Sequence, residues 1–296
     1  MIKTPQLQAS ADSTAAIERY YNRFNEEHRL TTRHGQVEFT TTMHYIHRAL
    51  SALNAARAAD AATALSDAAP EAKNTSAHFS APLAIADIGA GTGRYSVALS
   101  REGHSVTAVE LVARNLAVLE AKHEKVNCWP GDARDLHFLA DDSFDLTLLL
   151  GPLYHLHTHT ERLQALSEAK RITRRGGYIF AAYVMNEYSV LTYCFRQGHI
   201  KECMAQGLLT EDFHTVPDAD ALYSYLRLED IDALNRASGL ERIKIVAADS
   251  SADYLRRDLN AMDEETFALY LRFHLATCER PELLGASSHT IDILRN

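Results

Sequence analysis

The periodicity of apolar positions changes along the chain. Between residues 12 and 53 the spacing is helical: Val37, Met43, Ile46 and Leu50 fall near one stripe, preceded by Tyr20, Tyr21, Phe24 and Leu30. Residues 54–80 are rich in Ala, Ser and Asp and contain Pro70. Alanine favours continuation of the helix through the first half of this stretch, and the remainder reads as a surface linker. From residue 82 onward, short apolar runs at 82–85, 105–109, 126–130, 142–150 and 176–182 predict strands. Helical patterns begin at Tyr95 after the first run and at Thr160 after the fourth. Strands alternating with helices imply a mostly parallel sheet. Further on, 226–234 predicts a helix stopped by Gly239, 241–246 a sixth strand, 263–279 a helix and 290–294 a last strand. Residues 186–220 carry Tyr188, Tyr193, Phe195, Met204 and Phe213 without strand alternation, which predicts an inserted set of helices and loops.

The first strand runs into Asp87-Ile88-Gly89-Ala90-Gly91-Thr92-Gly93 before the helix that starts at Tyr95. A strand that turns through glycines into a helix forms a nucleotide-binding crevice, because backbone can approach a ligand closely and the helix N-terminus offers unpaired N–H groups. The second strand ends at Glu110, 17 residues past Gly93, near the ~20-residue spacing of an acid that binds ribose hydroxyls. A carboxylate accepts two hydrogen bonds from a 2′,3′-diol and disfavours a 2′-phosphate. A dinucleotide loop reads G-x-G-x-x-G. Here the third glycine comes one residue early and an acid precedes the first, which disfavours a nicotinamide dehydrogenase.

This loop resembles the D/E-x-G-x-G-x-G loop of class I S-adenosylmethionine (SAM)-dependent methyltransferases. Later marks keep the family's order: Gly131-Asp132-Ala133-Arg134 after strand three, Phe144-Asp145 in strand four, and Gly176-Gly177 as a turn into strand five. The resemblance implies that Asp87 holds the methionine ammonium and that Gly89, Ala90, Gly91 and Gly93 form the cofactor loop. Glu110 and Leu111 would meet the ribose. Asp132 would meet the adenine amino group, beside Ala133 and Arg134, and Leu150 would close the end of strand four. The segments "YYNRFNEEHRL", "HGQVEFTTTMHYI" and "LLLGPLYHL" are similar to a group of small bacterial class I methyltransferases, largely of unassigned substrate. That likeness implies N-terminal helices capping the cleft, with Tyr20, Tyr21 and Arg29 as candidates to close over cofactor and substrate.

The implied fold is an α/β Rossmann-like sandwich: a seven-stranded, mostly parallel sheet with helices on both faces, strand seven antiparallel between five and six. Residues 1–80 would form the helical cap and linker, and 81–296 the SAM-binding core with its insertion at 186–220. The Leu150-Gly151-Pro152-Leu153 stretch lacks the N/D-P-P-Y/F form that many methyltransferases acting on amino groups of nucleobases and glutamine use.

Methyl transfer from a sulfonium is an in-line substitution in which the protein supplies orientation and, for a phenol, alcohol or protonated amine, a base. His155, just past strand four, is the candidate base, its ordinary role as a packing residue being the alternative. His155, His157 and His159 alternate, but they run into a helix start and lack a carboxylate or cysteine partner, so no metal site is expected.

The formal charge of −9, with 15 histidines counted neutral, disfavours a broad nucleic-acid surface. Arg171, Arg174 and Arg175 form the one basic cluster near strand five and read as a solvated helix end. Cys128, Cys194, Cys203 and Cys278 have no C-x-x-C spacing, which fits free thiols in a reducing compartment. The first residues lack an apolar signal core and no 18-residue apolar stretch occurs, so a cytoplasmic protein without a membrane span is expected. The expected function is SAM-dependent methyl transfer to a small or medium-sized O, N or S nucleophile. RNA methylation and a non-catalytic SAM-binding role are the alternatives, and the oligomeric state is left open.

Overall fold

The computed structural model describes residues 17–21, 27, 30–66, 82–218 and 221–296. Seven strands form one sheet: β1 (Ala84–Ile88), β2 (Ser105–Glu110), β3 (Val126–Pro130), β4 (Phe144–Leu149), β5 (Thr173–Val184), β6 (Glu241–Ala247) and β7 (His289–Arg295). Their order is β3-β2-β1-β4-β5-β7-β6. The β1–β2, β2–β3, β1–β4 and β4–β5 pairings are parallel, and β7 is antiparallel to both β5 and β6. This is the strand insertion that the resemblance implies. The order reverses between β1 and β4, and in open α/β sheets the ligand crevice opens at the carboxyl ends of the strands at such a reversal.

The helices are α1 (Arg33–Ser66), α2 (Arg94–Arg101), α3 (Ala113–Glu120), α4 (His159–Ile172), α5 (Leu228–Ser238), α6 (Arg256–Ala261) and α7 (Glu264–Thr277), with shorter turns between. Alternate strand residues serve opposite layers, as the pleat requires. Ile179, Ala181 and Tyr183 join a core with Ala165, Leu166 and Ala169 of α4 and Ile231 and Leu234 of α5. Phe180, Ala182 and Val184 join the other core, with Met43, Ile46, Ala49 and Leu50 of α1. Of the expected stripe, Met43, Ile46 and Leu50 pack on the sheet, whereas Val37 packs with Ala252, Leu259 of α6 and Phe267 of α7.

The helix that continues into the Ala-rich stretch agrees with the sequence reading, as does the insertion, whereas the Gly176-Gly177 stretch differs from it. The helix of the N-terminal half is a single element of 34 residues that carries the Ala-rich stretch to Ser66. Its far half is anchored by Arg57, whose guanidinium donates to Asp145 Oδ1 at 2.6 Å. The linker beyond it, 67–81, lies outside the described residues. Gly176-Gly177 is no turn before strand five but a bulge inside it: the register against β4 shifts between Phe144↔Thr173 and Leu146↔Tyr178. A Cβ at Gly177 would meet Asp145 O at 2.8 Å, so only glycine lets the bulged strand lie against its neighbour. The insertion after β5 is the expected mixture, with Asn186–Ser189 running into a π-helical stretch Val190–Arg196 and then a short helix Ile200–Ala205.

The four cysteines are free thiols. Two arginines of the basic cluster are engaged internally. Arg171 pairs with Glu168 and Asp141, and Arg174 with the buried Asp145. No helix of the described residues is long and apolar enough to cross a membrane.

Candidate functional site

A cleft opens at the carboxyl ends of β1, β2 and β4. Its walls hold Asp87, Gly89, Ala90, Gly91, Glu110, Leu111, Asp132, Ala133, Arg134, Leu150, Tyr21 and His155. Twelve of the fifteen candidate site residues thus converge, and Tyr20 lines a neighbouring cavity instead. Gly93 is not among the lining residues. Its φ is +80°, and a Cβ there would meet Leu119 Cδ1 at 2.2 Å, so it serves the close packing of the loop on α3. Arg29 lies outside the described residues.

Asp87 is 2% exposed at the end of β1. Its Oδ2 accepts the Ser96 hydroxyl from the first turn of α2 at 2.5 Å. Burial pushes its pKa up to about 6, partly offset by the Ser96 hydrogen bonds. Among the described residues it has no cationic partner. A buried acid facing a cleft without a cation is suited to an incoming ammonium. Glu110 organises the loop: Oε2 accepts Gly91 N–H at 2.6 Å and Oε1 accepts Val112 N–H at 2.8 Å. Burial raises its pKa, the two N–H donors opposing and the Asp87 charge adding. The Asn115 side chain is a third donor to this carboxylate; of its roughly four acceptor sites one is left for a ribose hydroxyl, and a second diol bond would displace Asn115.

The loop's backbone forms the cleft wall. Gly89 has φ +74°, and a Cβ on it would meet Pro152 Cδ at 2.7 Å, which keeps the turn after β4 tight against the loop. At the far end, Asp132 accepts the Arg134 backbone N–H at 2.9 Å and the guanidinium at 2.6 Å, and Arg134 also reaches Glu161 at 2.8 Å. Arg134 therefore fixes the Asp132 carboxylate in place.

Sequence reasoning missed several lining residues: Glu27, Leu30, Asn115 and Tyr154. Lys122 bridges Glu27 at 2.8 Å to the Thr92 carbonyl at 2.7 Å, which ties the N-terminal segment to the glycine loop. No local pattern marks such a long-range tie.

His155 follows the 3-10 turn Pro152–Tyr154. Its Nδ1 lies 2.8 Å from the Leu222 carbonyl and its Nε2 3.0 Å from the Tyr21 hydroxyl. A carbonyl only accepts, so Nδ1 carries the proton and Nε2 presents its lone pair, with Tyr21 donating to it. The rings of Tyr21, Tyr154 and Tyr223 stand 5.6, 4.9 and 5.2 Å from the imidazole.

The alternating histidines diverge. Thr158 caps α4 through a capping box with Glu161, which breaks the extended run. His157 lines a different cavity together with His159, which lies at the helix start. A second cavity adjoins the cleft and shares Tyr21 and Tyr154 with it, and it encloses roughly 630 Å³. That volume is within the usual range of small-molecule sites. On its wall, Glu38, Asp249 and His289 bring ligand-type atoms within 4.8 Å of one another, a grouping that the sequence did not reveal.

Residues 86–181 match the family model of a methyltransferase domain. Among solved structures, the chain is similar to a SAM-dependent methyltransferase from Methanosarcina mazei (15% identity, 73% of this chain and 92% of that one, TM-score 0.49). It is also similar to one from Mesorhizobium loti (17%, 73% and 91%, TM-score 0.47). A third, from Thermotoga maritima, is described as a possible histamine N-methyltransferase (18%, 72% and 82%, TM-score 0.46). No curated protein matches the chain in sequence. The sheet order and the cleft define a class I methyltransferase fold. The matched stretch, residues 86–181, is a methyltransferase domain, a family whose cofactor is SAM.

Proposed function

We propose that this protein methylates a nucleophilic atom of a small molecule held in the tyrosine-lined cavity beside His155, with release of S-adenosylhomocysteine. The observation that carries this reading is the position of Tyr21 and Tyr154: both walls of the cofactor cleft and of the second cavity include them, with His155 beside them. Asp87, Glu110 and Asp132 are the groups that would hold the ammonium, ribose and adenine of SAM. When bound, SAM supplies the electrophilic methyl group on its sulfonium.

The remaining work falls to this chain's own side chains. The Leu222 carbonyl fixes the His155 tautomer, so Nε2 is the atom that takes the acceptor's proton. The same carbonyl stabilises the imidazolium, because Nδ1–H already points to it. Tyr21 keeps the lone pair satisfied until an acceptor replaces its hydroxyl. The three tyrosine rings around the imidazole exclude water from it.

The test is incubation of the protein with deuterated-methyl SAM and a metabolite extract. A small product carrying the labelled methyl, formed with S-adenosylhomocysteine, supports the reading. Labelled product lost on RNase treatment would point to RNA. Tight SAM binding with no product from any extract would make the chain a binding protein.

A further inference from the structure

The second cavity has a composition that selects for charge. Aromatic rings of Tyr20, Tyr21, Tyr154, Tyr188, Tyr223 and Tyr225 line it. Three carboxylates also line it, those of Glu38, Asp249 and Asp253, against one guanidinium, Arg256. That guanidinium is already held by Asp253, which also accepts the Tyr188 hydroxyl. Asp249 accepts the Ser287 hydroxyl at 2.7 Å and the His289 N–H at 2.9 Å. Although it is fully buried, the His289 charge and these donors outweigh desolvation and keep its pKa below the ordinary value. The His289 imidazole lies 2.8 Å from Asp249 and 3.8 Å from Glu38, and its ring is 6.0 Å from that of Tyr154. With this imidazole charged and that of His34 neutral, three acids against Arg256 and His289 leave one net negative charge on the wall. A second imidazole, His34, also lines the cavity, and its Nδ1 is near the Thr32 hydroxyl at 3.0 Å.

We infer that the acceptor is an organic cation, a small amine recognised in its protonated form by the tyrosine faces and the Glu38–Asp249 pair. The inference rests on the proposed function for the location of the acceptor and adds its chemical class. Tyrosine faces attract cations through the ring quadrupole. An acceptor bearing a carboxylate or phosphate would meet like charge from Glu38 and Asp249 and is disfavoured.

The test uses three probes of one skeleton, 2-phenylethylamine, 2-phenylethanol and phenylacetate. Each is titrated calorimetrically into the full chain saturated with S-adenosylhomocysteine, with EDTA present. The amine should bind at least tenfold more tightly than the alcohol, a difference of about 1.4 kcal/mol, and phenylacetate should bind most weakly. Glu38→Gln should shrink the amine-over-alcohol preference three- to tenfold, with S-adenosylhomocysteine affinity unchanged as the check on folding. Equal binding of amine and alcohol overturns the inference, as does no amine binding at millimolar concentration or a preference that survives Glu38→Gln. Without EDTA, a stoichiometric rise in melting temperature with Mn²⁺ or Zn²⁺ that competes with the amine would make the site a metal site and overturn it too. In each of these cases the cofactor reading stands, whereas failure to bind S-adenosylhomocysteine at all would sink that reading instead.

Discussion

Asp87 offers the sharpest test of the cofactor site, because its ionisation should be felt in both binding and stability. The carboxyl titrates near pH 6 in the ligand-free protein because it is buried and only Ser96 hydrogen bonds oppose the burial. The methionine ammonium of the cofactor requires the ionised form, and an α-amino group stays largely protonated below pH ~7.5. With a pKa of about 6, the ionised fraction falls from nearly all at pH ~7.5 to about a tenth at pH ~5. S-adenosylhomocysteine affinity should therefore drop roughly tenfold over that range, ~1.4 kcal/mol. Asp87→Asn should lose roughly 10–100-fold in affinity at neutral pH, as expected for a hydrogen bond to a charged group, and should lose most of the pH slope.

Stability should move the other way. The folded pKa lies above the unfolded value, so the ionised form is disfavoured by folding. The penalty is absent below both values and complete above pH 6. The shift from the ordinary 3.8 to about 6 corresponds to up to ~3 kcal/mol. The ligand-free Asp87→Asn variant should therefore melt higher than wild type at pH ~7.5, with the difference vanishing toward pH ~4. Calorimetry and thermal melts across pH 5–8 decide the matter. A flat affinity profile in the wild type, or the same slope in Asp87→Asn, would refute the ammonium role.

Three further outcomes are expected. Glu110→Ala should weaken S-adenosylhomocysteine binding by tenfold or more and also lower the melting temperature, since the Gly91 and Val112 N–H groups lose their acceptor; Glu110→Gln, which keeps one acceptor oxygen, should lose less, and unchanged calorimetric affinity in Glu110→Ala would remove the ribose role. Gly93→Ala should destabilise the fold by roughly 1–3 kcal/mol or more, because both its φ and the Leu119 side chain oppose a Cβ; a melting temperature equal to wild type would show that the loop relaxes freely. His155→Gln should lower kcat ~10²–10⁴-fold with S-adenosylhomocysteine affinity near wild type, whereas near wild-type turnover with an unchanged pH–rate profile would eliminate the base.

The cofactor half of the protein is legible in its sequence because local rules determine it. Asp87, Gly89 and Gly91 lie within five residues of one another on one strand–turn–helix unit. Glu110 and Asp132 follow on the next two strand ends, and parallel pairing of β1, β2 and β3 brings those ends together. Once the sheet order is known, the cleft is nearly determined. The Gly176-Gly177 bulge is not legible in the sequence, for the opposite reason. Two glycines in sequence signal a turn, and only the register of β4 against β5 shows that a close approach to Asp145 is what they serve.

The acceptor half is assembled differently. Its cavity draws on α1 (Glu38), the turn after β4 (Tyr154), the π-helical insertion (Thr192, Tyr193), the segment before α5 (Tyr223, Tyr225), and the segments that follow β6 and lead into β7 (Asp249, Asp253, His289). None of these has a spacing rule linking it to another, since tertiary packing alone sets their separation. On this side the sequence offers Tyr20 and Tyr21, which line the cavity, and His155, which stands beside it just past the end of β4. The His155 tautomer is set by Leu222, 67 positions away, so this candidate base would acquire its chemical form from the proposed acceptor half. Substituting the segment around 222–225 should therefore change both which molecule is accepted and how well His155 accepts its proton, while the cleft built by β1 and β2 continues to bind the cofactor.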